Sequence, residues 1–179
     1  ELRGKTLGII GCGKIGQYTA KYALGCGMKV IAFDPFIDNI VIEINIADQM
    51  LNVPVNMVSF DELLQTSDFI SLHVPMPGDG KALIGNEEFE KMKTGVRIVN
   101  AARGGVIDED ALINALNSEK VSSAALDVFV NEPSPRVDII THDKISLTPH
   151  VGAATVEAQE RIGTELANQI IKHFNTISV

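Results

Sequence analysis

An α/β fold, with a doubly wound, mostly parallel sheet and helices on both faces, is what this sequence predicts. Three observations carry that expectation. Short apolar runs alternate with segments of helical periodicity along the chain. The first apolar run ends in a glycine-rich stretch, Gly11-Cys12-Gly13-Lys14-Ile15-Gly16, which opens a helical pattern. The second run ends on an acidic residue, Asp34, and Pro35 then stops the strand because it cannot donate to a central ladder.

The elements follow in order. Residues 6–10 form the first strand. A helix runs over about 14–24, with Ile15, Tyr18, Thr19 and Tyr22 at helical spacing, and Gly25 and Gly27 end it. The second strand is 29–33. Residues 38–53 pull in two directions. Ile40, Val41, Ile42, Ile44 and Ile46 favour a strand locally, whereas a βαβ unit needs a helix, so a poorly formed helix or an irregular stretch is expected. A short strand fits 55–58. Ser59 is suited to cap the next helix, with Glu62 three residues on. Residues 68–73 are a strand and 75–80 a loop. Asn86 is expected to cap a helix through Lys91. Strands at 96–100, 123–127 and 145–147 follow, with a helix over 108–117 between the first two. A long helix over about 155–174 closes the chain.

Bulk properties exclude several classes. A chain of 179 residues suits one domain, 1–179. The net charge of −8 and the lack of a basic stripe argue against nucleic acid. No run is long and apolar enough for a membrane span. Cys12 and Cys26 lack metal-ligand spacing, so no metal is expected and the thiols read as those of a reduced, cytoplasmic protein. The chain opens directly on a buried strand, so an excised piece is expected.

The glycine-rich loop has a physical use. Gly11 permits a tight turn, Gly13 admits a pyrophosphate close to the backbone, and Gly16 lets helix and strand pack closely. The helix start adds free N–H groups and partial positive charge. Asp34, about 20 residues on, is placed to accept hydrogen bonds from ribose hydroxyls and to repel a 2′-phosphate. These features make the domain Rossmann-type and favour NAD over NADP.

Three further groups sit just beyond strand ends, where doubly wound sheets place their chemistry. Arg103 follows the 96–100 strand, Glu132 the strand ending at Asp127, and His150 the last strand. A guanidinium grips a carboxylate bidentately. An imidazole carries an alcohol proton, and a nearby carboxylate fixes its tautomer. With the loop, these groups point to hydride transfer.

At these motifs the sequence resembles the D-isomer-specific 2-hydroxy acid dehydrogenases. The stretches that carry the resemblance are Val99-Asn-Ala-Ala-Arg-Gly-Gly-Val-Ile-Asp-Glu109, Ala125-Leu-Asp-Val-Phe129 and Thr148-Pro-His-Val-Gly-Ala-Ala-Thr155. Within the family, Gly152-Ala-Ala-Thr-Val-Glu-Ala-Gln159 is most similar to the D-3-phosphoglycerate dehydrogenase branch, at the head of serine biosynthesis. Glyoxylate/hydroxypyruvate reductases, D-lactate dehydrogenases and non-catalytic NAD-sensing corepressors are the alternatives. The resemblance implies roles by position. Arg103 would hold the 2-hydroxy or 2-oxo acid substrate, His150 would be the acid/base and Glu132 its partner. Lys14 and Ile15 would meet the pyrophosphate in the cofactor loop of Gly11, Gly13 and Gly16, and Asp34 the ribose. His73, Val74 and Pro75 would line the adenosine side. Ala101, Ala102, Arg103, Asp127, His150, Gly152 and Ala153 would surround the nicotinamide. It also implies a homodimer through this domain, around Pro77 to Met92, and a substrate-binding domain absent from this chain. An isolated domain is then expected to bind NAD but turn over poorly.

Overall fold

A computed structural model describes residues 1–177, with side chains described through residue 175. Eight strands form one sheet. They are β1 (Thr6–Ile10), β2 (Lys29–Phe33), β3 (Ile40–Ile46), β4 (Gln49–Met57), β5 (Phe69–Leu72), β6 (Val96–Asn100), β7 (Val121–Leu126) and β8 (Ile145–Leu147). The helices are α1 (Lys14–Gly25), α2 (Phe60–Thr66), α3 (Asn86–Lys91), α4 (Glu109–Asn117), α5 (Val137–Ile140) and α6 (Val156–Ile177). The strand order is β3-β4-β2-β1-β5-β6-β7-β8. Every pairing is parallel except β3 with β4. The order reverses between β1 and β5, and this switch point opens a crevice at the carboxyl ends of the strands.

β1 shows why the sheet is covered twice. Leu7 and Ile9 join Ala20 and Ala23 of α1 on one face, while Ile10 joins Leu63 and Leu64 of α2 on the other. Side chains alternate across a strand, so an unbroken apolar run must be buried on both sides. Each fully buried Leu or Ile here contributes roughly 1.5–3 kcal/mol.

One expectation is corrected. Residues 38–53 hold neither a helix nor an irregular stretch. β3 and β4 form an antiparallel hairpin with Ile46 paired to Gln49 across a two-residue turn. The end of β4 then pairs with β2 in parallel, Ala32 opposite Met57, and fills the third position of the doubly wound order without a crossover helix. The alternation of buried Ile40 and Ile42 with exposed Val41 and Glu43 is that of a half-buried strand. α1 is present where predicted, but its apolar-looking face is turned outward. Ile15, Tyr18 and Tyr22 are exposed, and the buried residues are Gly16, Ala20 and Ala23. Small residues let the helix sit close on β1.

Smaller differences concern boundaries and caps. Gly85, not Asn86, precedes α3, and Glu88 Oε2 accepts from the Gly85 N–H at 2.9 Å. β7 begins two residues before the expected strand, and the one-turn α5 has no counterpart in the sequence reading. α4 is capped by Asp108, which accepts from the Ala111 N–H. Among the described residues, no helix is long and apolar enough to cross a membrane.

Candidate active site

The parallel strands deliver all the predicted site residues to one edge of the sheet. Asp34 follows β2, Gly11 follows β1, His73 follows β5, Arg103 follows β6, Glu132 follows β7 and His150 follows β8. Because strand order differs from chain order, the edge reads Asp34, Gly11, His73, Arg103, Glu132, His150.

At the first half of this edge the glycine loop has a shape suited to a dinucleotide. Gly11 has φ +94°, and a Cβ there would lie 2.5 Å from the His73 carbonyl oxygen. A Cβ on Gly16 would collide with the Gly11 carbonyl oxygen. A Cβ on Gly13 would meet nothing within 4 Å, so the loop is open where a pyrophosphate has to approach. Gly13 offers no side chain to cap α1, which leaves the leading helix N–H groups for an external anion. Lys14 and Ile15 are exposed at the same helix start.

Asp34 is tied to this loop. Its Oδ2 accepts from the Cys12 N–H at 2.8 Å and its Oδ1 from the Phe36 N–H at 2.9 Å. The sequence reading missed that bond to Cys12. Burial, aided by the Asp34 carboxylate, pushes the Cys12 thiol up to about 11 and keeps it protonated. His73 donates its backbone N–H to the Ile10 carbonyl, and its Nε2 lies 2.9 Å from Ser71 Oγ. Burial pushes its imidazole down to about 4, so it is neutral at ordinary pH. Val74 lies against Gly11, and the exposed Pro75 continues this wall.

The second half of the edge holds the proton-transfer candidates. His150 Nδ1 and Glu132 Oε2 are 2.6 Å apart. Glu132 Oε1 accepts from the Phe129 N–H at 2.8 Å. The hydrogen bond from His150 and that backbone bond hold the Glu132 carboxyl below its usual range. With Nδ1 engaged by a carboxylate, the free Nε2 is the nitrogen available to a substrate. Arg103 stands exposed one strand away. Its Nη1 donates to the neighbouring Ala102 carbonyl at 2.6 Å, and it has no carboxylate partner among the described residues.

Two buried side chains that sequence reasoning left out, or read differently, shape these loops. Asn100 is 3% exposed; its Oδ1 accepts from Ala102 N–H and its Nδ2 donates to the Arg103 carbonyl. An Asn at a strand end is the usual start of such a turn, and that was the available signal. Asp127 is 7% exposed. Its Oδ1 accepts from the Thr148 hydroxyl at 2.6 Å and the Val151 N–H at 2.8 Å, and its Oδ2 from the Gly152 N–H at 2.9 Å. These three bonds bracket His150, whose backbone is left-handed at φ +56°. They hold the Asp127 carboxyl below its usual range against the opposing effect of burial. Ala101, Ala102, Asp127 and Gly152 thus fall together around the ends of β6, β7 and β8, where a cleft of about 190 Å³ opens at Ala101, Asp127 and Thr148. Ala153 is exposed beside them, and its carbonyl accepts from Gln159 Nε2.

The family model described as D-isomer specific 2-hydroxyacid dehydrogenase, NAD binding domain, matches residues 1–152. Over 175 residues the chain is 49% identical to a hydroxypyruvate reductase of Thermotoga maritima, covering 96% of this chain and 54% of that protein. Over 171 residues it is 46% identical to the chloroplastic D-3-phosphoglycerate dehydrogenase 2 of Arabidopsis thaliana, covering 95% of this chain and 26% of that protein. The crystal structure of a glyoxylate reductase from Paecilomyes thermophila superposes with a TM-score of 0.81 at 38% identity, covering 94% of this chain and 49% of that one. The chain therefore spans between about a quarter and a half of these relatives. A match of this extent, over a sheet of this order and a loop of this shape, makes the chain an NAD-binding domain of the D-isomer-specific 2-hydroxyacid dehydrogenase family.

Proposed function

We propose that this domain supplies the cofactor site and the proton-transfer groups of an NAD-dependent D-2-hydroxy acid dehydrogenase, acting on 3-phosphoglycerate and its 2-oxo partner. The observation that carries the reading is the 2.6 Å pair of His150 and Glu132, one strand from an Arg103 that lacks a carboxylate partner. Bound NAD supplies the hydride acceptor for oxidation. In that direction His150 Nε2, neutral, takes the proton of the C2 hydroxyl, and Glu132 stabilises the imidazolium that results. In reduction the protonated imidazole returns that proton to the carbonyl oxygen. Arg103 grips the substrate carboxylate and offsets charge developing on the oxygen. Gly13, Lys14 and Ile15 would hold the pyrophosphate, Asp34 and residues 73–75 the adenosine, and Ala101, Ala102, Asp127, Gly152 and Ala153 the nicotinamide.

Substrate selection is assigned to a substrate-binding segment outside this chain, and a homodimer is assigned to the face around residues 77–92. A hydroxypyruvate or glyoxylate reductase is the second reading, favoured by the 49% identity to the Thermotoga enzyme. A substrate panel on the protein carrying its substrate-binding segment decides between them. Phosphohydroxypyruvate should be reduced with the highest kcat/KM. A preference for hydroxypyruvate or glyoxylate would replace the first reading with the second. No turnover of any 2-oxo acid, with NAD bound, would favour a sensing module instead.

A further inference from the structure

The loop from residue 127 to residue 136 has no regular structure, yet it must hold the Glu132 carboxylate 2.6 Å from His150. Its fastenings come from α4. Glu109 Oε1 accepts from the Val130 N–H at 3.0 Å. The next residue, Asp110, accepts from Arg136 Nη1 at 2.6 Å, and Arg136 Nε stands 4.0 Å from Glu109 Oε2. Consecutive carboxylates in the first turn of one helix thus hold the loop on either side of Glu132. From below, Gly104 lies so close to the Phe129 carbonyl that no Cβ fits between them. The loop bearing Arg103 and the loop bearing Glu132 therefore touch backbone to backbone.

Glu109 is unusual for a surface fastening. Its side chain is only 9% exposed, although Val130 is 52% exposed. A surface loop can leave its N–H groups to water, whereas burying a carboxylate carries a desolvation penalty. The dipole of α4 favours an acidic residue in its first turn, but it does not aim that residue at Val130. We propose that Glu109 is a positioning residue for the Glu132–His150 pair, acting through the backbone of Val130. Residue 109 closes the stretch 99–109, one of the three that carry the family resemblance, and no role proposed above in cofactor or substrate binding uses it. The proposal rests on the reading of Glu132 and His150 as the proton-transfer pair.

Three variants separate geometry from charge. Glu109→Gln keeps an oxygen at the same reach for Val130. Glu109→Asp keeps the charge but is one methylene too short. Glu109→Ala removes both. In the protein with its substrate-binding segment, kcat should fall about tenfold or more for Asp and Ala, and stay within about threefold for Gln. The NAD Kd of all three should stay within about twofold. In the 179-residue chain, the proton NMR signal of His150 Nδ1–H should persist in the Gln variant and be lost or shifted upfield in the Asp variant. An Asp variant matching wild type in both readouts would overturn the proposal, as would Asp outperforming Gln, which would make the Arg136 charge pair the working contact. The NMR arm needs no turnover. If His150→Ala retains full kcat, the catalytic reading fails, while the NMR comparison still reports on the brace.

Discussion

Asp34 carries two demands on one carboxylate. It fastens the glycine loop at Cys12, and from its position at the end of β2 it would, in the proposed site, receive a ribose diol. A single carboxylate has about four lone-pair sites, so it can serve both partners at once. Removing it costs the charge-assisted bonds and loosens the loop as well. Asp34→Ala should weaken NAD binding by about ten- to hundredfold and narrow the discrimination against NADP. Titration of both cofactors into the chain measures this; an unchanged NAD:NADP ratio would remove the ribose role. His150 makes the complementary prediction, because it lies at the far end of the same edge. His150→Ala should lower kcat by about 10²–10⁴-fold in the protein with its substrate-binding segment, with NAD affinity little changed. Steady-state kinetics beside a binding titration would show the split. Both residues were legible in the sequence because each follows a strand and carries a group with an obvious chemical use. Asp127 was read as a cofactor neighbour. Its three bonds to the His150 loop could not be seen, because they join residues 21 to 25 positions apart.

Elements were legible where periodicity and architecture agreed. β1, β2, β6 and β8 appear at the predicted residues because each is an apolar run bounded by turn residues. They conflicted in residues 38–53, and there the local preference prevailed. The Ile and Val alternation formed a strand, and the sheet reached its third parallel position through a hairpin. α1 formed at the predicted residues, but period alone cannot tell which face turns inward when the sheet accepts only small side chains. The hairpin has a weak point of its own. Its two-residue turn places Ala47 at φ +51°, a region where a Cβ is crowded and glycine is not. Ala47→Gly should therefore stabilise the domain by up to about 1 kcal/mol, a rise of about 2–4 °C in Tm. Thermal unfolding followed by circular dichroism would read it. A lower Tm would mean that chain entropy, not turn strain, governs this position.

At the scale of the whole molecule, the site exists because strand order and chain order differ. The chain visits the edge in the sequence Gly11, Asp34, His73, Arg103, Glu132, His150, and the sheet rearranges these into a line with the proposed cofactor-binding groups at one end and the proton-transfer candidates at the other. That line was legible once the glycine loop identified the fold; the loop fastenings by Asp127 and Glu109 were not, since they depend on side-chain reach between elements. His73 sits at the middle of the line and links the site to global stability. Its imidazole is partly buried and pushed down to about 4, against about 6.5 in an unfolded chain. Between these values the unfolded state binds a proton that the folded state does not. Stability is therefore complete above about pH 6.5, falls as the pH drops towards about 4, and changes no further from this group below that. The shift corresponds to roughly 2–3 kcal/mol once partial exposure is allowed for. Urea unfolding of the chain at pH 7.5 and pH 4.5 should show this loss, and His73→Gln should remove most of it. The depressed carboxyls of Glu132 and Asp127 also lose stabilisation in acid, starting near their ordinary values of 4.5 and 3.8 and running below them, so their contribution overlaps only the acid end of the His73 window. A His73→Gln variant whose stability fell as steeply as wild type between pH 7.5 and 4.5 would show that His73 is not the group that titrates.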